Sequence, residues 1–145
     1  MARAHGEVMI PVTQTRTGKN GNCLAAALAS ILEIPIRAVP EFGGDSVFIQ
    51  NVQRFLAEHG LYYAHVSPDD PTVEAAFNQG EVFHVIEGIS PRGGQHAVVG
   101  RNGEMIHDPH PQDGTGRGLV EVENYGLLCA RMEHPSGGVN LSGAY

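Results

Sequence analysis

An α+β fold is the class this sequence predicts, and three observations lead to it. With 145 residues, 41% hydrophobic and 17% charged, the chain suits one domain around one core. A breaker-free stretch from Cys23 to Glu33 puts Leu24, Leu28, Ile31 and Leu32 on one helical face. Arg101-Asn102-Gly103 is a strong hairpin signal between two β-rich segments, Gln95 to Gly100 and Glu104 to Asp108. We expect a single domain over 1–145, with a core at about 8–132 and a loosely packed tail at 133–145.

Val8 to Thr15 is rich in β-branched residues and reads as a short extended segment feeding the polar loop Arg16 to Gly21. Asn22 is a suitable N-cap for the helix that follows, and Pro35 stops it. Its alanines allow close approach to a sheet. After an irregular connection, Asp45 or Ser46 can cap a second helix running to His59, with Phe48, Val52, Phe55 and Leu56 on its apolar stripe and Gly60 as terminator. Leu61 to Val66 reads as a strand, Thr72 to Gln79 as a short helix closed by Gly80, and Glu81 to Glu87 as a strand. Val120 to Glu123 and Leu127 to Met132 add further strand candidates.

Composition excludes several classes of function. The net charge is −7, from 16 acidic against 9 basic residues, and no basic run is present, so we expect no nucleic-acid partner. Cys23 and Cys129 lie in such different settings that neither a disulfide nor a shared metal site is expected. The apolar stretch Val8 to Val12 is far too short for a signal core or a membrane span. The expectation is a cytoplasmic chain without membrane attachment.

Cys23 stands at the first position of the clearest helix, where free backbone N–H groups and the helix dipole favour negative charge. That is the setting a nucleophilic thiolate needs. A base must later protonate the leaving group, and His96 meets that need at the start of a strand after the flexible Pro91 to Gln95. Hairpin register decides whether an orienting acid reaches it. A three-residue turn with Gly103 as bulge residue pairs His96 with Asp108, whereas a two-residue Asn-Gly turn pairs Arg101 with Glu104 and sends Asp108 to the opposite face. The first register is the one expected. The Cys23 N–H supplies one oxyanion donor, and Gln14 supplies a second if the loop after it doubles back, with Asn22 as competitor. His107-x-x-His110 with Asp108 and Cys23 is the competing, metal-binding reading. The other histidines, His65 and His84 among them, are assigned to structure or surface; Tyr62, Tyr63 and Phe83 can line the cleft, with core packing the expected use.

Gln14, then Gly21-Asn22-Cys23-Leu24-Ala25-Ala26-Ala27, then Gly94-Gln95-His96-Ala97-Val98-Val99, then His107-Asp108-Pro109 together resemble the papain-like cysteine peptidase superfamily. The likeness is to its small bacterial and phage members of the C39-like type. It spans about Gln14 to Pro111. The resemblance implies a helix bearing the cysteine, packed on an antiparallel sheet bearing histidine and aspartate. It also implies roles: Cys23 as nucleophile, His96 as general base, Asp108 as orienter and Gln14 in the oxyanion hole. The Gln14 to Cys23 gap is longer than usual in that family, and Asn22 stands where aspartate is more common. The implied activity is thiol-dependent hydrolysis of a peptide, isopeptide or other amide bond, without a cofactor. The same fold also hosts acyltransferases, deamidases and inactive binding modules.

Overall fold

The computed structural model describes residues 9–18, 21–44, 46–111 and 116–132, so the expected tail at 133–145 and the candidate cap Asp45 lie outside them. Three α-helices, α1 (Cys23–Leu32), α2 (Phe48–Ala57) and α3 (Pro71–Asn78), accompany five strands: β1 (Leu61–Val66), β2 (Phe83–Ile89), β3 (Gln95–Arg101), β4 (Glu104–His107) and β5 (Glu121–Ala130). The strands form one antiparallel sheet in the order β1-β5-β2-β3-β4. The class is α+β. Among the described residues no helix is long and apolar enough to cross a membrane.

Helix α1 lies across β3 and β2, and α2 lies against β1. Ala26, Ala27 and Ala29 are fully buried, and their short side chains let α1 settle close to the sheet. Leu28 fills the core between them with Val52, Leu56, Val85 and Val99. The helix ends where Glu33 turns left-handed at φ 61° and returns its N–H to Ala29 and Ser30, two residues before Pro35.

The first extended segment joins no sheet. Ile10 N–H donates to the Ser30 carbonyl, and Val12 N–H donates to the Ser30 hydroxyl at 2.9 Å, which itself donates to Ala26. Further on, His107 Nε2 donates to the Val12 carbonyl at 2.8 Å and Gln14 N–H to the Pro109 carbonyl at 2.9 Å. Residues 9–14 are therefore a strap that ties α1 to the end of β4.

Three sequence expectations need correction. Asn22 does not cap α1 through its side chain, and α2 starts behind Val47 without a side-chain cap rather than at Ser46. The strands expected at 120–123 and 127–132 are one continuous strand, β5, hydrogen-bonded to β1 on one side and β2 on the other. The Asn124-Tyr125-Gly126 sequence looks like a break, but Gly126 is there for space: a Cβ would sit 2.1 Å from the Tyr63 hydroxyl.

The hairpin uses the register judged less favourable from sequence, pairing Arg101 with Glu104 and Gly100 with Met105. Asn102 and Gly103 both have positive φ, 49° and 90°, as a two-residue primed turn requires. Asn102 is held there by the segment before β2. Its N–H donates to the Val82 carbonyl, its Oδ1 accepts from Val82 N–H, and its Nδ2 donates to Gly80. Beyond the turn, Val99 pairs with His107, which leaves Ile106 as an extra residue in β4. That bulge restores the alternation lost by the shorter turn and returns Asp108 to the side of His96.

Gly126→Ala tests the fit of β5. A methyl group there displaces the Tyr63 ring, and overpacking of this kind costs about 1–3 kcal/mol. The urea midpoint of the variant falls below that of wild type with an unchanged slope.

Candidate active site

The loop before α1 sets the position of Cys23. Asn22 turns its side chain backwards, accepting from Thr15 N–H and Arg16 N–H through Oδ1 and donating to Thr15 Oγ1 through Nδ2. Asn22 N–H donates to Arg16 and Gly21 N–H to Gly18. These bonds double the loop back, so the long Gln14 to Cys23 spacing is taken up as an excursion. Buried Gln14 lies against Gly21, with Nε2 donating to the Arg16 carbonyl at 2.7 Å; its Oε1 is buried without a partner. Cys23, a half-buried free thiol, opens α1, and no side chain caps the first turn above it.

His96, 5% exposed, donates from Nε2 to Asp108 Oδ1 at 2.7 Å and interacts with the Cys23 thiol. With Nε2 taken by the carboxylate, Nδ1 is the ring nitrogen left for sulfur. Asp108, 1% exposed, has both of its carboxylate oxygens hydrogen-bonded. Oδ1 also accepts from His110 N–H at 2.9 Å, and Oδ2 accepts from Gly118 N–H at 2.6 Å. Arg117 clasps the same loop by donating to the Asp108 and His110 carbonyls, both at 3.0 Å. The structure thus joins Asp108 to His96, sets Cys23 and His96 in one cleft wall, and lays Gln14 against Gly21 in the loop before Cys23.

Burial by itself pushes the His96 pKa down; the hydrogen bonds to Asp108 and Cys23, with their negative charges, outweigh it and raise it to about 9. Burial also works against ionisation of Asp108. Its bonds from His96, Gly118 and His110 win and hold the carboxyl well below its usual range. The pair is an imidazolium facing a carboxylate across neutral pH.

A cleft of about 480 Å³ opens beside Cys23 and His96. Leu24, Phe48, Ile49 and Ala97 form its apolar side. Tyr63, His65, Glu87 and Gln95 form its polar side. Sequence reading left His65 as structure or surface and did not single out Glu87; Tyr63 is both a core residue and part of the cleft wall. The available signal was strand alternation: Tyr63 and His65 are two apart on β1, and Glu87 is a charge in an otherwise apolar β2. Among the described residues no group of three His, Cys, Asp or Glu side chains is arranged to hold a metal. His107, proposed as a ligand, instead bonds the strap.

Comparison with family models, with curated proteins and with solved structures finds no match to this chain.

Stability depends on pH through groups that include His96, Asp108 and His84. Because the His96 pKa is raised in the fold, its contribution is complete below about pH 6.5, the unfolded value, and is lost as pH rises through about 9. Asp108 contributes above the usual carboxyl range and loses its part on strong acidification. His84, pushed down by burial, contributes above about pH 6.5 and loses its part as pH falls. Urea unfolding across pH 5–10 therefore shows a maximum near neutrality, and His96→Gln flattens the alkaline limb.

Proposed function

We propose that this chain is a papain-like thiol hydrolase that cleaves an amide bond through Cys23, His96 and Asp108. The observation that carries the reading is the buried His96–Asp108 hydrogen bond in the wall of the same cleft that Cys23 lines. A cysteine used only as apolar filler has no need of a buried histidine held by a buried carboxylate, an arrangement that costs desolvation.

In this reading the Cys23 thiolate forms a bond to the substrate carbonyl carbon, and the oxygen takes up the negative charge. The Cys23 N–H at the uncapped start of α1 stabilises that oxygen. Gln14 is the second donor: Nε2 carries two hydrogens and the Arg16 carbonyl takes one. Asn22 is the weaker candidate because its side chain is turned back onto Thr15 and Arg16, with Oδ1 accepting from both backbone N–H groups and Nδ2 donating to Thr15 Oγ1. His96 then gives its proton to the departing amine as the C–N bond breaks, leaving a thioester. Neutral His96 takes a proton from water, the resulting hydroxide attacks the thioester, and release of the carboxylic acid restores the thiolate and imidazolium. Asp108 holds the ring throughout.

Iodoacetamide alkylation, read separately at Cys23 and Cys129 by peptide mass spectrometry, tests the proposal. An ordinary thiol, with pKa about 8.5, is about 1% ionised at pH 6.5. Cys23 reacts about 10–100-fold faster than Cys129 at that pH, and His96→Ala removes the advantage. Equal rates in wild type and variant contradict the hydrolase.

A further inference from the structure

The cleft beside Cys23 contains one carboxylate that the amide-cleavage chemistry does not use. Glu87 sits on β2, its side chain 20% exposed, opposite Ala97 on β3. The Tyr63 hydroxyl donates to Glu87 Oε2, and His65 Nε2 lies 2.9 Å from Oε1 and 3.0 Å from Oε2. Tyr63 is itself buried, and its ring packs edge-on against His65 at 5.0 Å. Burial first, then the charges of Glu87 and Cys23, push the Tyr63 pKa well above its usual value, so it stays a neutral donor.

A carboxylate in the wall of a reaction cleft is costly unless something uses it. The core does not: the neighbouring inward positions are the apolar Val85, Ala97 and Val99. His65, its side chain 43% exposed, covers Glu87 from the solvent side and is the one partner that an incoming group can displace. In the same cleft as this carboxylate, Phe48 and Ile49 offer apolar surface, with Ile49 39% exposed. An aliphatic stem with a cationic head matches that pairing: the stem runs along apolar carbon and the charge ends at a carboxylate. A neutral or acidic side chain matches only half of it.

Resting on the hydrolase reading above, we propose that Glu87 is the specificity determinant of the cleft and selects amide substrates carrying a lysine-like cationic side chain next to the cleaved bond. His65 is the gate to that subsite. It lies on Glu87 in the absence of substrate and yields when a cation arrives.

The test uses small thiol reagents of opposite charge, so it does not depend on knowing the substrate. Methanethiosulfonates with an ammonium or a sulfonate head form a mixed disulfide at Cys23 and release methanesulfinate. The readout is the cation-to-anion rate ratio at pH 6, divided by the same ratio for free cysteine and measured on the Cys23 peptide. The ratio exceeds one in wild type, falls at least threefold in Glu87→Gln, and rises in His65→Ala. Glu58→Gln changes net charge equally on α2's exposed end and leaves the ratio where it was. An unchanged ratio in Glu87→Gln, or an equal fall in Glu58→Gln, overturns the proposal. The ratio is readable for any accessible thiol, so its failure is separate from a failure of the His96-dependent alkylation, which overturns the hydrolase reading instead. Should Glu87→Gln not fold, His65→Ala alone decides: a ratio that does not rise contradicts the gate and the subsite together.

Discussion

The Asp108 carboxylate is the fixed point of this molecule's chemistry. It is almost fully buried, and three N–H donors from three separate places converge on it: the His96 ring, the His110 backbone and the Gly118 backbone. A buried charge survives only with such satisfaction, because removing any one donor exposes part of its desolvation cost. The consequence runs outward. A locked carboxylate locks the imidazole, and a locked imidazole keeps its proton near the Cys23 sulfur.

Each part of the fold serves that alignment. Small residues let α1 lie close to β3, which brings the start of the helix to the start of the strand. The strap over Ser30 and the end of β4 holds Gln14, and Asn22 ties Thr15 and Arg16 to the residue before Cys23. Arg117 closes the far side by gripping the carbonyls on either side of Pro109. Distant stretches of chain therefore meet at one site through backbone hydrogen bonds as much as through side-chain packing.

Much of this was legible in the sequence, and the misses share a cause. Helix α1, the strand at 61–66 and the hairpin turn follow from local patterns, because breakers, apolar spacing and Asn-Gly turns act over a few residues. Cys23, His96 and Asp108 were legible because each sits at the end of such an element. The hairpin register was not: the turn is two residues long because Asn102 bonds to Val82 and Gly80 on another segment, and the bulge at Ile106 then compensates. Two errors in register cancelled, so the His96 and Asp108 pairing was reached by the wrong route. Continuous β5 was hidden by Gly126, whose reason is the Tyr63 hydroxyl, 63 positions earlier in the chain. Glu87 and its partner His65 were missed because β1 and β2 meet only through β5, which lies between them in the sheet.

The account stands on a protonated His96 sustained by both Asp108 and Cys23. Nitrogen-detected NMR titration of the His96 ring in wild type and in Cys23→Ala measures that directly. The account predicts an imidazolium at pH 7 that titrates near 9 in wild type, with Nε2–H held by Asp108, and a clearly lower midpoint once the sulfur is gone. A wild-type ring that titrates near 6.5, or a midpoint indifferent to Cys23, contradicts it.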